Sequence, residues 1–209
     1  MTTRHNIFYI IIVIILTNIS CQPIIKNSMQ TGTWSKDGRI FKNEWINLCV
    51  IMPEGYRALS QEEIQEAVGL GGEILINDGI FNKQTYNLSK ILTVYDFFII
   101  AESGIPNFIL LYENIGIQSI LNNFDEEGYY NEVKKNLEKL DTLTYECIGK
   151  SIKNLAGDKW LVGSFHLTDS GVFQDYYLKK IEKTMVVFII TYTDIEMVDK
   201  FISSISKIK

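Results

Sequence analysis

Three cysteines, two histidines and a scatter of acids are the side chains in this sequence from which chemistry could be built. Cys49 and Cys147 would act as nucleophiles only beside a base and a group that orients it. His166 is the one histidine beyond residue 5. All three fall inside segments that read as strands. Two readings of the thiols stay open: buried and inert, or joined as a disulfide in an exported chain. His166 shares a strand face with Trp160, Val162 and Ser164, the setting of a structural or surface histidine. A metal site needs several His, Cys or carboxylate ligands at matched spacing, and the sequence has no Cys-x-x-Cys and no His-x-x-x-His. No catalytic, cofactor or metal residue is assigned.

The remaining constellations reduce to local structure. Asp125-Glu126-Glu127 lacks the alternating oxygen ligands and the glycine of a calcium loop, whereas acids at a helix start complement its positive end. Asp169-Ser170-Gly171 reads as a turn, because a nucleophile elbow requires Gly-x-Ser-x-Gly between a strand and a helix. Gly69-Leu70-Gly71-Gly72 has neither the strand before it nor the Lys or Ser/Thr after it that a phosphate loop uses.

The third cysteine has a different context. Met1 to Asn6 carries Arg4 and no acid, and Ile7 to Leu16 is an unbroken apolar run. Ten residues are about half of the roughly 20 that a permanent membrane helix needs. A basic start, a short apolar core and a small residue, Ser20, describe a secretory signal over 1–20. Leu16-Thr17-Asn18-Ile19-Ser20-Cys21 resembles a bacterial lipobox in its aliphatic core, its small residue and its cysteine, and departs from it at Asn18, where an aliphatic residue is usual. Cys21 is therefore expected to carry the lipid that holds the chain at the extracytoplasmic face of the cell membrane; two or three acyl chains anchor stably where one does not. Residues 21–32 show no sustained period and should form a tether of up to about 35 Å.

Composition narrows the partners. Removing 1–20 takes away Arg4 and no acid, moving the formal net charge from −5 to −6. Such a surface repels phosphate backbones and anionic headgroups, and no basic run with interleaved aromatics occurs, so nucleic acid is not an expected partner. Membrane attachment falls to the lipid.

The rest, 33–209, reads as one domain. Thr33 to Asn43 has the pattern of a hairpin turning at Asp37-Gly38, and Ile46 to Met52 that of a strand with Leu48, Val50 and Met52 on one face. Ser60 and Glu63 form a capping box ahead of a helix marked by Ile64, Ala67 and Val68, which the glycines at 69, 71 and 72 weaken. Asn77 to Ser89 reads as a polar loop. Tyr95 to Ala101 and Phe108 to Tyr112 form a hairpin, and Glu126 to Leu140 a helix. Thr142 to Asn154, Trp160 to Thr168, Gln174 to Glu182 and Met185 to Thr193 are successive strands. The Met185 run is apolar on both faces, which places it centrally in a sheet. From Asp194 the spacing of Ile195, Val198, Phe201, Ile202, Ile205 and Ile208 predicts a terminal helix, with Lys207 and Lys209 at its negative end. Runs of antiparallel strands with few helices imply α+β, with about six or seven strands flanked by helices.

Phe41-Lys42-Asn43-Glu44, leading into a strand that stops at Met52-Pro53-Glu54-Gly55-Tyr56 before a capped helix, resembles small lipoproteins of Gram-positive bacteria with a PsbP-like fold. The later order is similar too: a hairpin, a Tyr-containing helix, a strand entering at Ile148-Gly149, a strand with Gln174 and Tyr176, and a terminal helix. The resemblance implies an antiparallel sheet between helices and transfers no catalytic residue. Together with the anchor, it implies a non-catalytic binding or assembly module for a protein or another envelope component. A hydrolase or ligand-sensing domain with an unrecognised pocket, around His166, is the alternative.

Overall fold

The computed structural model describes residues 29–116 and 124–208. The expected signal, Cys21 and all but the end of the tether lie outside the described residues, as does Lys209.

The apolar pattern of the later strands is satisfied by a seven-stranded, wholly antiparallel sheet. Its strands are β4 (Tyr56–Ala58), β5 (Thr93–Ala101), β6 (Asn107–Asn114), β7 (Tyr145–Leu155), β8 (Asp158–Leu167), β9 (Val172–Ile181) and β10 (Thr184–Tyr192), in the order β4-β5-β6-β10-β9-β8-β7. β10 is the middle strand and every one of its residues is buried, as a run apolar on both faces requires. β9 and β10 pair from Thr184 opposite Ile181 to Tyr192 opposite Phe173.

One face of this sheet is covered by helices α1 (Gln61–Asn77), α2 (Lys83–Leu92) and α3 (Glu126–Leu137). Ile64, Leu75, Tyr129 and Val133 meet Ile109, Leu111, Leu178 and Val187 there. α1 opens with the expected capping box, Glu63 N donating to Ser60 Oγ and Ser60 N to Glu63 Oε2. It continues past the glycines. At Gly72 a Cβ would lie 2.2 Å from the Tyr86 ring of α2, so the glycine that weakens the helix in isolation permits the α1–α2 contact.

The loop expected over Asn77 to Ser89 is corrected: its second half belongs to α2. Asn82 caps that helix by accepting from Thr85 N at 2.8 Å. Among the residues it buries are Tyr86, in part, and Ser89, polar positions that a search for an apolar stripe passes over.

The other face is covered by a second antiparallel sheet that was not expected. It comprises β1 (Thr33–Trp34), β2 (Ile40–Asn43), β3 (Leu48–Ile51) and β11 (Ile205–Ser206), in the order β1-β2-β3-β11, and it is joined by α4 (Ile195–Ile202). Phe41, Leu48 and Val50 are buried while Ile51 is 55% exposed, so these strands have one apolar face and pack it flat on the larger sheet. The turn at Asp37-Gly38 is as expected, with Gly38 at φ 68°.

The terminal helix is shorter than its apolar spacing predicts. Ser203 Oγ donates to Asp199 O and Ser204 Oγ to Phe201 O, closing the last turn with side chains that compete for backbone carbonyls. Ile205 then pairs with Val50 in β11. Lys207 consequently sits away from the helix end, 2.9 Å from Asp158. Phe201 stacks on Phe108 with centroids 3.4 Å apart, locking α4 to the large sheet.

Candidate functional site

The structure separates the residues that a nucleophilic site would need together. Both thiols are free. Cys49 lies on β3, in register with Lys42 and Ser206, within the small-sheet layer. Cys147 lies on β7 toward the helical layer, its Sγ 2.9 Å from the Tyr130 hydroxyl. The large sheet stands between them, so of the two readings of the thiols the disulfide is not made. His166 stacks on Phe173 (4.6 Å, 18°), which stacks on Tyr192 (5.6 Å, 21°), a cross-strand ladder over β8, β9 and β10. The nearest carboxylate oxygen is that of Glu146, 3.9 Å from Nδ1.

The acidic triplet disperses its charges. Asp125 caps α3 by accepting from Gly128 N at 2.9 Å, Glu126 accepts from Lys180 N at 2.8 Å, and Glu127 pairs with Lys150. Among the described residues no group of three or more His, Cys, Asp or Glu is placed to hold a metal ion. Ser170 sits in the β8–β9 turn, its N and that of Gly171 both donating to Leu167 O. Cys21, the expected lipid attachment, lies outside the described residues.

Three buried acids carry no mark in the sequence, because each is a single carboxylate within a strand and belongs to no motif. Asp96 accepts from Asn43 Nδ2 at 2.9 Å, from Gly32 N at 2.8 Å and from the Tyr112 hydroxyl. Burial raises the Asp96 carboxyl above its ordinary value against those lowering bonds. Glu113 accepts from the Tyr129 hydroxyl at 2.7 Å, and burial followed by that negative charge drives Tyr129 well above the usual phenol range. Asp175 is held by Lys153 Nζ at 3.0 Å. Asp96 and Glu113 fix layers to one another, and Asp175 ties β9 to β7 within the large sheet.

Such a space exists where the chain enters the domain. A cleft of about 500 Å³ opens between the first turns of α1, the end of α2, the start of β5 and the entering segment at Met29 and Thr31. Its size falls in the range of about 300–1,000 Å³ common to small-molecule sites. Gln61, Ile64, Gln65 and Val68 come from one face of α1 at helical spacing, Lys90 from α2, and Val94 and Tyr95 from β5 just before a register shift in the β5–β6 ladder. Ile64, Val68, Val94 and Met29 make the apolar part. Of the ten lining residues one is a lysine and none is an acid. The Tyr95 ring is half-buried, but its hydroxyl is fully buried and has no hydrogen-bond partner among the described residues. Burial, then the charge of Glu113, pushes that phenol well above its usual range, so it is a neutral donor. Nothing in the sequence marks this cleft, because its residues are distributed over four segments and form no motif.

A second groove of about 580 Å³ runs between the Asp37-Gly38 turn and the loop from Met52 to Ala58, and includes Arg39 and Arg57. Its charge is internally balanced: Arg57 grips Glu63 with bonds of 3.0 and 2.8 Å, and Asp37 and Glu54 line the same groove. His166 lines neither cavity.

No family model matches the sequence. No curated protein matches it either. Among solved structures the chain is similar to the solution structure of cyanobacterial PsbP (CyanoP) from Synechocystis sp. PCC 6803, at TM-score 0.49 and 8% identity, over 91% of this chain and 99% of that one. At that identity the likeness is one of fold. The α+β class expected from the sequence stands on the strands and helices described above.

Proposed function

We propose that this chain is an exported, lipid-anchored and non-catalytic binding module, held by Cys21 at the extracytoplasmic face of the membrane, which receives its ligand in the cleft at Tyr95. The cleft carries the reading: it is the place where an apolar floor, an exposed cation and the carboxamides of Gln61 and Gln65 open onto one space of small-molecule size. Met29 stands eight positions after Cys21 in the sequence. At about 3.3–3.6 Å each they keep the cleft within roughly 28 Å of the bilayer. Among the described residues no helix is long and apolar enough to cross a membrane.

The test has two arms. Mass spectrometry of the mature N-terminus should find a diacylglyceryl Cys21; an intact Met1 removes the anchor. A small-molecule screen followed by amide shifts should move Gln65, Lys90 and Thr93 together. A screen that perturbs other surfaces and leaves these still removes the ligand site.

The second reading, assembly with a protein, is favoured by β7. This 11-residue strand is an edge of the large sheet, and it exposes Ile148 at 56% and Ile152 at 61%. Its bulge at Cys147–Gly149 and the lysines at 150 and 153 are the devices that blunt an edge. Cross-linking in the envelope from a photoreactive residue at 152 that captures no protein ends this second reading.

A further inference from the structure

We propose that the outer face of the four-stranded sheet is the surface this domain turns to the membrane, resting on anionic headgroups with Ile40 and Ile51 pressed among them. The inference goes beyond the binding-module reading and rests only on its anchor at Cys21.

The face follows from alternation along the strands. Phe41, Leu48, Val50 and Ile205 are buried against the large sheet, so Ile40 and Lys42 on β2, Cys49 and Ile51 on β3 and Ser206 on β11 stand on the other side. Ile40 is directly opposite Ile51 in the ladder, and they are 38% and 55% exposed, which joins them into one apolar spot. Lys42 is the next outward residue on β2, opposite Cys49 and Thr33 on its two sides. The four strands carry no acid.

Charge selects the occupant. The negative balance of the chain is unevenly spread. Residues 29–55 and 203–208, which build the small-sheet layer, carry four basic and three acidic side chains; residues 56–202 carry 13 and 22. Asp37, one of the three acids, is turned into its own loop, where it accepts from Ser35 Oγ and Arg39 N. Exposed charges more than about 8 Å apart are largely screened at physiological salt. Headgroups therefore sense the face that meets them, and Arg39 and Lys42, both exposed, flank the isoleucines there. Long basic side chains lay their stems on the apolar spot and keep their charge among the headgroups. A second copy of the chain on this face would instead bring two basic layers together.

The point of entry agrees. The chain joins this layer at once, Gly32 N donating to Asp96 on β5 and Thr33 opening β1. Other exposed isoleucines are worse placed. Ile148 and Ile152 lie on β7, five strands from β5 or about 24 Å away at the usual strand spacing, with Glu146 on the same strand and Glu127 paired to its Lys150. Ile91 belongs to the helical layer, where α1 carries Glu62, Glu63, Glu66 and Glu73.

The test places the lipidated chain in vesicles of phosphatidylcholine with one-third phosphatidylglycerol, the acyl chains brominated near the headgroup. Tryptophan quenching is read for Ile51→Trp and Ile91→Trp, each against the parent. Quenching at position 51 should be at least threefold stronger than at position 91. Arg39→Glu combined with Lys42→Glu should at least halve it, as should omission of phosphatidylglycerol, while the chain still pellets with the vesicles and its melting temperature is unchanged. If bound chain shows no quenching at 51, or equal quenching at both positions, the orientation is overturned and the anchor stands. Quenching that is unchanged in pure phosphatidylcholine overturns the anionic class. If position 51 is shielded from bromine and a cross-linker there joins two chains, the face belongs to a second copy and the inference is overturned. If Cys21 is unmodified and the chain does not pellet, the inference and the anchor fall together.

Discussion

The side-chain amide of Asn43 donates to the Asp96 carboxylate at 2.9 Å, across the gap between the small sheet and the large one. The same nitrogen lies 2.7 Å from Gln30 O and 2.9 Å from the Tyr112 hydroxyl, while Asn43 Oδ1 accepts from Ile46 N. One asparagine thus ties the entering chain, the β2–β3 turn and the core of the large sheet. Replacing it by leucine leaves a buried carboxylate with fewer donors, and the expected loss is about 2–4 kcal/mol. Urea unfolding measures it. A loss below that of an ordinary surface substitution would show that water replaces the amide.

Asp96 itself makes stability depend on pH. Burial raises its folded pKa, so its contribution is fully present below the unfolded carboxylate value of about 3.9 and is lost as pH rises through the raised folded value. Asp96→Asn cannot ionise. Its stability relative to the parent should therefore improve as pH goes from acid to neutral, even if its absolute stability is lower. Unfolding curves at several pH values test the sign; a difference that is flat, or that runs the other way, shows that the hydrogen bonds to Asp96 outweigh its burial.

The α1–α2 contact predicts a compensated pair. Gly72→Ala should raise helix propensity by about 0.5–1 kcal/mol, yet its methyl would collide with the Tyr86 ring, 2.2 Å away. The net effect should be destabilising by about 1–3 kcal/mol, as for other overpacked sites. In a Tyr86→Ala background the same change should become neutral or favourable. A double-mutant cycle without coupling refutes the contact.

Much of the fold was legible because burial period and turn chemistry agree. Met185 to Ile190 reads as central and becomes the middle strand; Ser60 and Glu63 read as a cap and form one. Where reading failed, two structures share one pattern. Phe201 and Ile205 are spaced for a helix, but the same spacing serves a chain that turns at Ser203-Ser204 and pairs as β11. α2 was invisible because part of its packing is a tyrosine fitted against a glycine 14 residues earlier in the chain, a relation no local period records. The cleft was unreadable for the same reason. Val68 looks like any core residue until Lys90 and Tyr95 are brought beside it.

The Tyr95 hydroxyl gives a prediction about packing. A buried donor with no partner among the described residues destabilises the fold that contains it, and deleting it while keeping the ring removes the cost. Tyr95→Phe should therefore leave the chain as stable as the parent or more stable, by up to about 1 kcal/mol. Melting curves of the two proteins measure the difference. A Tyr95→Phe chain that melts several degrees lower would mean that the oxygen has a partner in the fold.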